Sequence, residues 1–227
     1  VVEALLAAES IGDVYVVGPR ERLDEALGDF SEHVTRVQQR GKMIANAWAA
    51  IHASEAREKE RIGGNDSHRP LLVISSDLPL ITPEAVDDFV ARCAAEDAGF
   101  EGGYAMLCGV ADESSLKDYY PADGKPGIVR PYVNFSSSRQ RLANIYVGRP
   151  RLLANQKLLQ TGFDHRKMVK LKNVLAIAWT FLRQAGSWQA TWLSLRMQIT
   201  LMASRRGGWL YRKLRAGNSA RRTERGC

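Results

Sequence analysis

Short β-branched runs alternate with segments of helical period over residues 1–110, and that alternation leaves few folds open. Apolar positions at helical spacing fill residues 1–9. "DVYVVG" (13–18) reads as a strand closed by a Gly-Pro turn. "ERLDEALGDF" (21–30) is a short amphipathic helix, and "HVTRVQQ" (33–39) is a second strand whose run ends at Gly41. Residues 42–60 keep a long helical period and end in mixed charge. After a polar loop, "LLVIS" (71–75) is continuously apolar, the pattern of a strand buried on both faces of a parallel sheet. "TPEAVDDFVARCAAE" (82–96) is the clearest helix, with Thr82 at the N-cap and Pro83 in the first turn. "GGYAMLCGV" (102–110) adds a strand. The pattern predicts an α/β fold with a mainly parallel, Rossmann-like sheet flanked by helices. In such sheets ligands bind beyond the carboxyl ends of the strands.

Residues 111–150 change character. "YYPADGKPGIVRPYVNF" (119–135) is rich in Pro and Gly and reads as an inserted loop and hairpin, followed by a strand at 143–147. From 151 the chain reads as helical and basic, so the expected division is a domain over 1–150 and a helical extension over 151–227 with a disordered end. Charge follows the same division. Residues 149–227 carry 17 Lys and Arg against two acids, +15, while residues 1–148 carry the other 15 against 23 acids, −8.

A chain of 227 residues, 45% hydrophobic and 25% charged, is long and apolar enough for a sizeable core. Cys93, Cys108 and Cys227 are odd in number and widely spaced, which argues against a disulfide framework and a Cys-x-x-Cys metal site. That usage fits a reducing, cytoplasmic setting. The opening residues lack the basic flank and cleavage site of a signal peptide, and a helix already under way at Val1 suggests sequence upstream.

The extension supports three readings. Its first helix packs on the preceding domain and its end is a solvated tail; or residues 174–215, with Trp179, Trp188, Trp192 and Trp209 among bases, lie on an anionic membrane surface; or, least favoured, its arginines bind nucleic acid by charge. The charge-free run 173–182 is 10 residues, too short to span a bilayer.

The chemistry-bearing residues are few. Asp77 follows the "LLVIS" run, where a carboxylate is placed to hold a divalent cation, with Pro79 fixing the turn. A cap on the following helix or turn is the other reading of Asp77. Gly41, in "QQRGKMIANA" (38–47), lets the backbone approach a ligand at a helix N-terminus, or is an ordinary turn glycine. His33, His52, His68 and His165 show no metal-ligand spacing. Ser75 and Ser76 lack the Gly-x-Ser-x-Gly frame of a hydrolase nucleophile. Cys93 and Cys108 read as small buried residues.

"QQRG" opening a helix, followed by "LLVISSDLPLITPEAVDDFV" (71–90), resembles the MobA-like nucleotidyltransferases of GT-A-type fold. "RLANIYVGRP" (141–150) resembles the later strand of that family, and the resemblance covers roughly residues 1–150. It implies transfer of a nucleoside monophosphate from an NTP to a phosphorylated acceptor, with release of pyrophosphate and dependence on Mg²⁺. It also implies site roles. Asp77 holds Mg²⁺; Gln39, Gly41 and Asn46 face the nucleotide; Asn144 faces the acceptor or completes the metal site. Lys125, Arg130 and Arg141, with Arg139 nearby, form the expected acceptor region, with an exposed basic loop as the equal alternative. Tyr119, Tyr120 and Tyr132 in the same stretch read as hairpin packing rather than stacking partners. Lys42 stands where many relatives have a small residue; of a phosphate contact and a solvated Lys in the first helical turn, the second is the favoured reading. The family's Gly-rich first motif, which wraps the triphosphate, is expected ahead of Val1; the activity belongs to a protein that carries it. A non-catalytic relative, docking through the basic helices to a membrane surface or nucleic acid, is the competing expectation.

Overall fold

A computed structural model describes residues 1–153 and Trp192, except 29, 31–32, 65–68, 123, 125, 128–131 and 135–137. Its elements run α1 (Val2–Ala7), β1 (Val14–Gly18), α2 (Arg20–Ala26), β2 (Val34–Gln38), α3 (Met43–Ile62), β3 (Leu71–Ile74), α4 (Pro83–Ala98), β4 (Met106–Asp112), α5 (Glu113–Leu116), β5 (Val133–Asn134) and β6 (Arg139–Gly148). Val1–Gly109 and Asn144–Ala154 make one compact unit; Val110–Ala143 belongs to a second.

The fold is mixed α/β. In the first unit β1 and β2 form a parallel pair, from Val14 opposite Val34 to Gly18 opposite Gln38, joined through α2. In a separate sheet β6 lies between β3 and β4. Here β3 runs antiparallel to β6, with Leu71 opposite Gly148 and Ile74 opposite Ile145. The expected parallel pairing therefore holds for β1 and β2 but not for β3. The reason is the connection. Parallel neighbours need a crossover, whereas β6 is entered from the irregular insertion and is free to return antiparallel.

The burial expected for β3 is also corrected. Val73 is 46% exposed, and it lies opposite Tyr146. Only the other face is closed, where Ile145 and Phe89 crowd the space above Gly109 so tightly that a Cβ there would clash. Cys108 is likewise exposed rather than buried, on the β4 face that alternates with Gly109, whereas Cys93 of α4 is buried. Burial pushes the Cys93 thiol up, away from nucleophilic use.

The helix signals in the sequence work as physical chemistry requires. Thr82 Oγ1 accepts from Ala85 N at 3.3 Å, satisfying an orphan amide of α4, and Pro83 occupies the first turn. The core of the first unit gathers Leu5, Ala8, Val14, Leu27, Val34 and Val86, and Val86 is fully buried. Val86→Ala is expected to cost about 2–3 kcal/mol, the lost transfer energy plus the cavity left behind. Urea unfolding measures it, and a loss under about 0.5 kcal/mol would contradict this core.

An ion pair ties the end of β6 to α4. Arg149 Nη1 donates to Asp97 Oδ1 at 2.8 Å and to the Tyr104 carbonyl at 3.1 Å, while Nη2 binds the other Asp97 oxygen. Asp97 Oδ1 also accepts from Tyr104 N at 2.7 Å. Among the described residues no helix is long and apolar enough to cross a membrane. Of the expected extension, only Arg151–Leu153 and a half-exposed Trp192 are described, so its helices and the membrane and nucleic-acid readings lie outside the described residues.

Candidate active site

Two groups of sequence-selected residues take shape at strand ends of the first unit. The first lies where the parallel strands β1 and β2 end. Gln39 N donates to the Gly18 carbonyl at 3.0 Å, carrying the pairing one residue past β2. Gln38 Oε1 accepts from Arg20 N at 3.1 Å and so satisfies an amide at the start of α2. Gly41 has φ +77°, a left-handed conformation that a glycine adopts without steric cost. Asn46 Oδ1 accepts from Arg40 N at 2.6 Å, bracing that turn from the first turns of α3. Lys42 is the N-cap of α3 and makes no side-chain capping bond. The turn Gln39–Lys42 is thus a formed backbone loop at the helix N-terminus. Asn46 acts on it from behind, its amide oxygen engaged with the loop. The bracing roles of Gln38 and Asn46 were not read from sequence; a Gln before the turn and an Asn early in the helix are the only signals.

The second group is centred on Asp77. β3 ends at Ile74, and Ser75 N donates to the Asn144 carbonyl at 3.0 Å, extending the ladder to β6. The chain then turns. Ile81 N donates to the Leu78 carbonyl at 3.2 Å, which places Pro79 at the second position of a β-turn, where its fixed φ suits the geometry. Thr82 caps α4, so the capping alternative for Asp77 at that helix is removed. Instead Asp77 is exposed, and its Oδ1 accepts from Asn144 Nδ2 at 3.5 Å.

Asn144 is the one described non-glycine residue with positive φ, +57°. A side chain in that conformation costs about 1 kcal/mol or more, least for Asn and Asp. It lies inside β6, where continuous strand geometry would cost nothing. The strained residue is the one that brings an amide to Asp77. The structure therefore brings together Asp77 and Asn144, which lie 67 positions apart in sequence.

The insertion belongs to the second unit and carries a cluster of its own. Arg139 Nη1 donates to Glu113 Oε1 at 2.5 Å, and its guanidinium lies 5.1 Å from the Tyr132 ring centroid. Tyr120 Oη donates to Tyr132 Oη at 2.5 Å. Desolvation and that neighbour push the Tyr120 phenol up to about 12. Tyr132 is buried, as hairpin packing requires, whereas Tyr119 is 75% exposed. Arg139 is thus neutralised by Glu113 rather than presented to an anion. Arg141 is half-buried on β6; Lys125 and Arg130 lie outside the described residues.

The chemistry of the donors bears on a cation. Mg²⁺ takes hard oxygen ligands, commonly one or two carboxylates with substrate phosphates and water. An exposed Asp77 carboxylate and the Asn144 amide fit that pattern. Among the described residues no group of three His, Cys, Asp or Glu could hold a metal by itself. His52 pairs with Glu55 at 3.2 Å, an ordinary contact one helical turn apart. Comparison of the chain with protein-family models, with curated proteins and with solved structures finds no match.

Proposed function

We infer that this chain is the core of a Mg²⁺-dependent nucleotidyltransferase. It moves a nucleoside monophosphate from an NTP to a phosphorylated small-molecule acceptor and releases pyrophosphate. The observation that carries the reading is the Asp77–Asn144 pair, an exposed carboxylate at a strand end beside an amide held by a strained backbone. The finer fold belongs to the same reading: a GT-A-type, Rossmann-like sheet whose strand ends carry both the Gln39–Lys42 loop and Asp77.

Asp77, with Asn144 beside it, would hold Mg²⁺ together with the triphosphate. Bound there, the ion neutralises charge on the phosphates and on the departing pyrophosphate. The residues of the chain do the positioning. Gly41 lets the Gln39–Lys42 backbone come close to the nucleotide, and Asn46 keeps that loop in place. Gln39 faces the base or ribose. Arg141, with Lys125 and Arg130, binds the acceptor phosphate. Phosphoryl-type transfers depend on positioning and electrostatics rather than on a protein nucleophile.

Pyrophosphate release is the direct assay, run with each of the four NTPs, a panel of sugar and alcohol phosphates, and Mg²⁺ or EDTA. The expected result is release with one NTP and one acceptor class, abolished by EDTA. Release by no pair, with a protein that folds normally, would count against the transferase.

A further inference from the structure

We propose that Glu113, Tyr120, Tyr132 and Arg139 form a positioning lock for Arg141, and that the lock is what makes Arg141 a phosphate-binding group. The proposal rests on the transferase reading for the source of the phosphate, which there belongs to the acceptor. The geometry of the anion site does not depend on it.

The lock ties together the ends of the insertion. Glu113 follows directly on β4, Tyr120 precedes the Pro- and Gly-rich stretch, Tyr132 closes it, and Arg139 opens β6. All four belong to the second unit. Arg139 Nη1 donates to Glu113 Oε1, and the guanidinium lies over the Tyr132 ring. Tyr120 Oη donates to Tyr132 Oη and lies 3.4 Å from the same Glu113 oxygen. Each member therefore meets two others, and the contacts close into a ring. Gly127 returns against the start of the stretch: a Cβ there would stand 2.6 Å from Pro121 N and 2.8 Å from the Tyr119 carbonyl oxygen. Arg139 is committed to the ring. Glu113 meets its charge, and its Nε is buried without a hydrogen-bond partner.

Arg141 differs. Alternation along β6 puts it on the same face as Arg139, two residues on, while Leu142 on the opposite face is 48% exposed. Arg141 is half-buried, yet among the described residues no hydrogen bond or ion pair takes up its guanidinium. A partly desolvated cation without a counter-charge is costly until an anion completes it. The guanidinium fork matches two oxygens of a phosphate, and partial burial strengthens that pairing over one on an open surface. Two arginines of one strand face thus have different tasks. Arg139, neutralised, fixes the start of β6; Arg141, not neutralised, meets the ligand. A fork held in place beforehand gives up less freedom on binding, so loosening the lock weakens phosphate binding although no lock residue touches the phosphate.

The test is titration of the ¹⁵N-arginine-labelled chain 1–227 with inorganic phosphate, at constant ionic strength set with chloride. The Nε–Hε signal of Arg141, assigned by its loss in Arg141→Lys, is expected to shift and saturate, while that of Arg139 stays in place. Tyr120→Phe removes one hydroxyl from the ring and is expected to weaken phosphate binding about 5-fold, the factor for one neutral hydrogen bond. Arg139→Lys keeps a charge for Glu113 and is expected to recover part of the affinity lost in Arg139→Ala. In the transfer assay, Tyr120→Phe is expected to raise KM for the acceptor by the same factor and to leave kcat and KM for the NTP unchanged. No saturable shift of Arg141, a shift of Arg139 in its place, or equal phosphate affinity in Tyr120→Phe and the wild type would overturn the proposal. Phosphate binding at Arg141 that the lock variants weaken, without pyrophosphate release from any NTP, would support the lock and count against the transferase reading alone.

Discussion

Asp77→Ala is expected to lower the rate of nucleotidyl transfer by about 10²–10³-fold while leaving the melting temperature within about 2 °C. The two parts of this result have different causes. Activity falls because the carboxylate that would balance metal and phosphate charge is gone, and among the described residues no group of three His, Cys, Asp or Glu offers a substitute metal site. The fold survives because Asp77 is exposed and follows the end of β3, with the cap of α4 supplied by Thr82. Asn144→Gly separates backbone from side chain at the partner position. Glycine accepts φ +57° without strain, so the strand keeps its path while the amide is lost. Steady-state rates and thermal unfolding on the same preparations measure both parts. Normal turnover by Asp77→Ala would sink the metal assignment. A large drop in melting temperature would show that Asp77 is structural instead.

Loss of the Arg149–Asp97 pair is the largest stability effect expected outside the hydrophobic core. Both side chains are mostly shielded, at 17% and 19% exposure, and the pair is bidentate. Arg149→Ala leaves Asp97 and the Tyr104 carbonyl without this donor and is expected to cost about 2–3 kcal/mol. The pH dependence follows in sign. The Arg149 hydrogen bond, with the Tyr104 amide, holds the Asp97 carboxyl below the usual range. A carboxylate depressed on folding stabilises the protein above its unfolded value, near pH 4, and that contribution is lost as pH falls through the folded value. Asp87 acts in the same direction, because Ser10 donates to it from both side chain and backbone. Urea unfolding of the wild type from pH 6 to pH 2 is therefore expected to show falling stability. Asp97→Asn is expected to start lower and fall less steeply. Parallel curves for the two proteins would contradict the assignment.

The local elements were largely legible in the sequence. β-branched runs gave β1 and β2, and the Thr-Pro start gave α4 to within two residues at its far end. Local physics decides those cases: side-chain branching, a cap, a fixed φ. The partner of β3 was not legible. A run such as "LLVI" suits any strand with apolar surroundings, and its neighbour is set by how the chain returns from an insertion more than 60 residues later. The same limit hid the Arg149–Asp97 clamp, whose members are 52 positions apart.

The site divides in the same way. Asp77 stood out because a lone carboxylate after an apolar run, followed by Pro79, is locally unusual. Asn144 carried a weaker signal, since only the folded chain shows that it adopts a left-handed conformation within reach of Asp77. The bracing role of Asn46 was out of reach, because a carbonyl oxygen directed at a backbone amide looks in sequence like any other helix-start asparagine. Arg139 had the composition of a phosphate ligand, and Glu113, 26 positions earlier, takes that charge.

The most direct test of the central claim is thermal unfolding with each of the four NTPs, with and without Mg²⁺, on the wild type and Asp77→Ala in parallel. A nucleotide at 100 times its dissociation constant stabilises by about 2.7 kcal/mol, roughly 5–10 °C for a domain of this size. The account predicts a shift of that order with one NTP, present only with Mg²⁺ and absent in the variant. No shift with any NTP, or an equal shift in the variant, would contradict it.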